Sequence, residues 1–305
     1  MTRRTTRPST RPSTRPDARI DVRIDVRKTY KLYIGGAFPR SESGRSYVVD
    51  DARGRFLANA SQASRKDARD AVVAARKAFG GWAGRTAYNR GQVVYRIAEV
   101  LESRRAQLEA EVRDATGATP AQARANVEAA VDRLVWYAGW ADKIAQVTGG
   151  ANPVAGPYFN HSAPEPTGVV AVVAPDDPLL GLVSVLAPVI ACGNTAVVLA
   201  SEPHPLPAVT LAEVMATADV PGGVVNVLTG FRAEVAPWLA AHMDVNALDL
   251  TGIDDPGLAR TLEEAAAENL KRVRRPGPED LTAAPALDRM TTFLETKTVW
   301  HPMGV

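Results

Sequence analysis

The chain has 305 residues, 46% hydrophobic and 23% charged, which excludes a wholly disordered or collagen-like protein and suits a soluble globular one. No window approaches 18 uninterrupted apolar residues, so no transmembrane helix is expected; the lone Cys192 excludes an internal disulfide and any C-x-x-C motif, and fits a reducing, cytoplasmic compartment. The net charge of +2 is uneven: residues 1–28 hold eight Arg and one Lys against Asp17, Asp21 and Asp25, a net +6, so the remaining 277 residues sum to −4, against a nucleic-acid-binding body.

Residues 1–30 read as a disordered basic tail. Thr-Arg-Pro-Ser repeats run to Pro16, and Arg-Ile-Asp-Val then occurs twice. The tail has no apolar h-region and is not a secretory signal; its Arg/Thr/Ser bias mimics a transit peptide, but the repeated Pro opposes an amphipathic helix. Leu32-Tyr33-Ile34 before Gly35-Gly36 predicts a short strand and turn. Ser64 is placed to cap a helix through Phe79, with Ala68, Ala71, Val72 and Ala75 on its apolar face. A longer helix is predicted from Tyr88 to Arg113 along Val93, Val94, Ile97, Val100, Leu101 and Leu108. Thr119-Pro120 opens a third helix to about Gln146, with Val131, Leu134, Val135, Ala138 and Ala141 buried.

The pattern then changes. Val169–Ala174 is continuously apolar, as a strand covered on both faces should be. Segments 195–200, 224–228 and 247–250 follow, separated by helical stretches at about 179–191, 206–218 and 232–242, and another helix at about 256–268. This alternation predicts an α/β fold, a Rossmann-like doubly wound parallel sheet with N-terminal helices. Residues 276–290 read as a linker rich in Pro, Gly and Ala. Phe293–His301 alternates like a strand with no evident partner in its own chain.

Across residues 31–275 the chain resembles the aldehyde dehydrogenases. The resemblance is carried by Tyr33-Ile34-Gly35-Gly36, Asp67–Phe79, Tyr137–Lys143, Pro166–Val170 with Ala174-Pro175, Gly193-Asn194-Thr195 with Ser201-Glu202, Pro221–Val227 with Gly230, and Thr251-Gly252. It implies an NAD-binding-type domain over 31–275, an oligomerisation hairpin near 155–168 and a C-terminal oligomerisation strand over 291–305. NAD or NADP is the implied cofactor, at Pro175, Asp177, Ser201, Glu202, Gly230, Thr251 and Gly252. Leu294, Thr296, Thr298, Val299 and Trp300 are the implied assembly residues.

Family chemistry needs a cysteine nucleophile, an amide donor for the oxyanion and a glutamate base in one dry pocket. None is found. Cys192 sits in the apolar run Val189–Gly193 and reads as an inert core thiol. The oxyanion amide falls on Asp177, which when ionised has no N–H to donate. Where the base-bearing strand should follow Val273, the chain turns to Arg274-Arg275-Pro276-Gly277-Pro278, which predicts loss of the fifth strand. The adenosine-side lysine is replaced by Leu199, and a family glycine by Arg232. The phosphate-side helix opens with Asp254-Asp255-Pro256, where a carboxylate is expected to cap its own helix. His161, His204, His242 and His301 lack metal-ligand spacing, and no metal is expected.

The expectation is a non-catalytic family member, with the catalytic domain missing between cofactor-type domain and last strand. It would assemble with a full-length aldehyde dehydrogenase as a hetero-oligomer, or with itself, and not with nucleic acid or membrane. Two alternatives stand beside it: an NAD(P)-dependent oxidoreductase acting on aldehydes, and a nucleotide-sensing module.

Overall fold

The computed structural model describes residues 28–304, so the predicted tail lies almost wholly outside the described residues. Three short strands come first: β1 (Thr29–Tyr30), β2 (Ser46–Asp50) and β3 (Phe56–Ser61), in the order β1-β3-β2. Helices α1 (Arg65–Ala83), α2 (Ala87–Ser103), α3 (Arg105–Thr116), α4 (Pro120–Trp140) and α5 (Ile144–Thr148) follow. Ser64 caps α1 in a reciprocal box with Asp67, and Thr119 does the same for α4 with Gln122.

Three expectations need correction here. The 88–113 helix is two helices, because Arg104 leaves helical geometry at φ −105° and ψ 13°. Its guanidinium reaches Glu213 at 3.2 Å. The third helix stops at Trp140, and Val135 lies on its exposed side; Ala123, Val127, Ala130, Leu134 and Tyr137 form its core face. Leu32–Ile34 is not a strand of its own; Tyr33 makes an isolated bridge to Val227.

Strands β4 (Gly150–Asn152) and β5 (Tyr158–Pro166) lead into the central sheet. That sheet contains β6 (Val169–Val173), β7 (Thr195–Leu199), β8 (Val225–Leu228), β9 (Ala247–Asp249) and β10 (Arg272–Arg274), parallel and ordered β10-β9-β6-β7-β8. The crossover helices are α6 (Leu180–Ala191), α7 (Leu206–Ala216), α8 (Arg232–Ala241) and α9 (Pro256–Ala267). Alternation within each strand sorts the two cores. Val170, Val172, Ala196 and Val198 join α2, α4, α6 and α7 on one face. Val169, Ala171, Val173, Val197 and Leu199 join α1, α8 and α9 on the other.

The fifth strand survives. β10 pairs with β9 through Arg272–Ala247, Val273–Leu248 and Arg274–Asp249. It is an edge strand, and the first proline, Pro276, comes two residues after its last paired residue, Arg274, so the ladder loses no donor.

Residues 276–293 do not behave as a free linker. They form a strap with a short helix, α10 (Asp288–Thr291), held by buried polar groups. Arg133 donates to Ser184 Oγ and to the carbonyls of Leu281 (2.9 Å) and Ala283 (2.8 Å). Asn194 Nδ2 donates to Phe293 O at 2.9 Å. Arg289 reaches Asp249 at 3.0 Å, with side chains 4% and 0% exposed, and its other nitrogens grip Glu279. Met290 and Phe293 enter the core. The strap delivers β11 (Leu294–Pro302) to β5, with which it pairs antiparallel from Leu294–Pro166 to Pro302–Tyr158. The last strand therefore has a partner in its own chain, in a three-stranded arm ordered β11-β5-β4.

Removing Arg289 strands the Asp249 carboxylate. Arg289→Met should cost about 3–5 kcal/mol in urea unfolding, with much of the loss recovered in the Arg289→Met/Asp249→Leu double variant. Burial alone would raise the Glu279 pKa, but the hydrogen bond and charge of Arg289, with Arg274 beside it, outweigh it, and the net shift is downward. A depressed carboxyl stabilises above its unfolded value and loses that contribution as pH falls through the folded value. Thermal melts should show Glu279→Gln less stable than wild type near neutrality, with the gap closing below about pH 4.

Candidate functional site

Ligands of doubly wound sheets sit outside the carboxyl ends of the strands. The structure brings Pro175, Asp177, Ser201, Glu202, Gly230, Thr251 and Gly252 to that edge, in the loops after β6, β7, β8 and β9. Two glycines there are dictated by space. A Cβ at Gly252 would stand 2.1 Å from Ala174 O, and Gly230 has φ +146° beside Ala63 N.

Most polar groups at this edge are already bonded within the chain. Asp177 Oδ1 accepts the N–H groups of Leu179 (3.3 Å) and Gly181 (3.0 Å), and both carboxylate oxygens accept from Asn126 Nδ2. It thus closes the N-terminus of α6 and offers no donor to an oxyanion. Asp255 caps α9 through Gly257 N at 2.8 Å, as its position suggested. Thr251 Oγ1 accepts from Arg289 at 3.2 Å, and Thr251 N donates to Asp249.

The loops after β6, β7 and β8 share one network. Glu202 Oε2 accepts from the backbone N–H of Arg232 at 2.9 Å, at the start of α8. The Arg232 guanidinium donates to Ala174 O at 3.0 Å and grips Asp176. Asp176 also accepts from Ser201 Oγ at 2.8 Å. Against Glu202 lies a 400 Å³ cavity lined by Tyr47, Phe231 and His204, among others. Tyr47 stacks obliquely on Phe231 at 5.3 Å, and burial, then the Glu202 charge, push its phenol pKa up. Burial lowers the His204 pKa, against the pull of Asp176, and favours the neutral imidazole. Sequence reasoning placed Arg232 opposite a family glycine but did not foresee where its side chain goes. Arg289 and Arg133 escaped notice altogether, because Asp249 lies 40 residues from Arg289, and Ser184 and Leu281 lie 51 and 148 residues from Arg133.

Cys192 is 2% exposed at the end of α6, and its thiol makes a long contact to Met290 O at 3.6 Å. Burial pushes its pKa up to about 12, against the pull of Arg90. A thiol so held is protonated at physiological pH and is no nucleophile. Among the described residues no group of three or more His, Cys, Asp or Glu is placed to hold a metal ion. No described helix is long and apolar enough to cross a membrane.

The arm carries the predicted assembly residues. Register places Leu294, Thr296, Thr298 and Trp300 on one face with Tyr158 and Ser162. Trp300 meets Tyr158 edge-on at 5.8 Å, and Thr298 bonds Ser162 at 2.8 Å. Val299 is on the opposite face with Phe159, His161 and His301. Trp300, Phe159, Tyr158 and Val299 are all exposed, Trp300 by 55%.

Comparison with known proteins agrees with this architecture. The profile of the aldehyde dehydrogenase family matches residues 38–275. Retinal dehydrogenase 2 of Gallus gallus is 36% identical over 253 residues, which is 81% of this chain and 48% of that protein. The mitochondrial aldehyde dehydrogenase family 2 member B4 of Arabidopsis thaliana is 37% identical over 249 residues, 80% of this chain and 45% of its own length. An NAD+ complex of an aldehyde dehydrogenase from Bacillus cereus superposes with a TM-score of 0.76 at 29% identity, covering 81% of this chain and 50% of that one. The chain thus spans about half the length of the relatives it matches. With its Rossmann-like sheet and this extended match, the chain belongs to the aldehyde dehydrogenase family.

Proposed function

We propose that this chain is a non-catalytic subunit that assembles with a full-length aldehyde dehydrogenase through its three-stranded arm. One observation carries the reading. β11 is an edge strand nine residues long, so one side of its backbone has no strand beside it among the described residues. Such an edge pairs readily with another sheet. The arm adds exposed Trp300 and Tyr158, residue types that anchor interfaces, with Phe159 and Val299 as further apolar surface. The pairing with β5 changes how the donation works. The arm is offered as a preformed sheet, so little ordering entropy is lost on docking.

A catalytic reading has less support. The thiol is sealed in the core and the residue at the amide position is a capping carboxylate. The 305 residues hold no second cysteine. A receiving sheet on a full-length relative is what the family resemblance supplies.

The tagged chain, recovered from its native cells, should carry a full-length aldehyde dehydrogenase in stoichiometric amount. Val299→Lys/Trp300→Glu should abolish that association with less than about 0.5 kcal/mol change in core stability, and deletion of residues 296–305 should abolish it as well. A chain that elutes alone, or only with copies of itself, contradicts the reading. The isolated chain should form no NADH with an aldehyde panel, and Cys192→Ala should leave the activity of the assembled complex unchanged. Iodoacetamide should fail to label Cys192 in the folded chain at pH 8 and label it readily in urea; rapid labelling of the native protein would show that the thiol is accessible.

A further inference from the structure

The crevice above β6, β7 and β8 is where this class of sheet takes the adenosine side of a dinucleotide. An acidic residue after the second strand meets the ribose, and a helix N-terminus meets phosphate. Solved relatives of this chain hold NAD+, so the fit can be judged group by group.

The residues present do not fit that ligand. Glu202 follows the second strand, but its Oε2 already accepts from Arg232 N at 2.9 Å. That bond turns one oxygen of the acidic group toward α8, and at the phosphate-side helix α9 Asp255 already accepts from Gly257 N at 2.8 Å. The Arg232 side chain, 13% exposed, crosses to the end of β6, where it bonds Ala174 O at 3.0 Å and the carboxylate of Asp176. Ser201 Oγ completes the circuit on Asp176 at 2.8 Å. Glu202, Arg232, Asp176 and Ser201 therefore tie three loops together across the crevice. A dinucleotide would have to break a charge-assisted pair and lift a largely buried guanidinium before reaching Glu202. Leu199, buried in the core at the end of β7, offers no cation in exchange.

We propose that Arg232 is the resident occupant of this crevice: its guanidinium, neutralised by Asp176, stands in for the ribose-phosphate of a dinucleotide and closes the site to NAD and NADP. The sheet keeps its shape because three loops remain cross-linked without a cofactor. Closure is independent of the arm, so the assembly reading is untouched by either result of the test.

Calorimetric titration of the full chain with NAD, NADP and ADP-ribose tests the proposal. Wild type should show no saturable binding to millimolar concentration. Arg232→Gly removes the side chain, and Arg232→Gly/Asp176→Asn also removes the carboxylate that would be left unpaired facing a pyrophosphate. The double variant should bind NAD and ADP-ribose at least about tenfold more tightly than wild type, the two ligands competing, and Glu202→Ala in that background should remove the gain. Circular dichroism and melting temperature establish that each variant is folded; Arg232→Ala/Asp176→Asn replaces the glycine variant if the latter melts early. Wild-type affinity equal to that of the variants overturns the proposal. So does a folded double variant that gains no binding, since Arg232 would then not be what closes the crevice.

Discussion

The ion pair between Arg289 and Asp249 sets the geometry on which the rest of the molecule depends. Asp249 is the last residue of a central strand and is fully buried. A carboxylate there is tolerable only with a cation beside it. The cation comes from the strap, 40 residues later in the chain. Once Arg289 is seated, Met290 and Phe293 fall into the core and β11 starts in register against Pro166. The position of the arm thus follows from one buried charge. The same contact ties Thr251 at the carboxyl edge.

A second arginine does comparable work at the other half of that edge. Arg232 joins the loops after β6, β7 and β8, as Arg289 joins the loop after β9 to the strap. Both take positions at the edge where doubly wound sheets bind ligands. The chain satisfies this edge with its own side chains, while the arm exposes Tyr158, Phe159 and Trp300 beside the open edge of its longest edge strand. That division favours a role in association over one in chemistry.

Much of this was legible in the sequence where one physical cause acts locally. Val169–Val173 reads as a buried strand because both faces need apolar cover, and Ser64 and Thr119 read as caps because a side-chain oxygen meets free N–H groups. Periodicity failed where tertiary contact decides. Leu101 and Leu108 keep helical spacing across Arg104, so the break between α2 and α3 is silent. The β2–β3 hairpin was missed although Tyr47-Val48-Val49 and Gly54 carry a strand-and-turn signal. The strand β10 was discounted because prolines follow it, yet at a sheet edge three residues suffice. At the candidate site, alignment with a family motif located Glu202, Gly230 and Gly252, and the substitution at Arg232 was visible. Its partner Asp176 was not, since a side chain's destination depends on loops 56 residues apart.

Hydrogen–deuterium exchange on β11 tests the central claim most directly. In the chain alone, amides of residues 295–301 on the open edge should exchange quickly while those bonded to β5 are slower. Together with a full-length aldehyde dehydrogenase from the same cells, the open-edge amides should become protected, with no change in β6–β9. Exchange at β11 that is the same with and without that partner would contradict assembly through the arm.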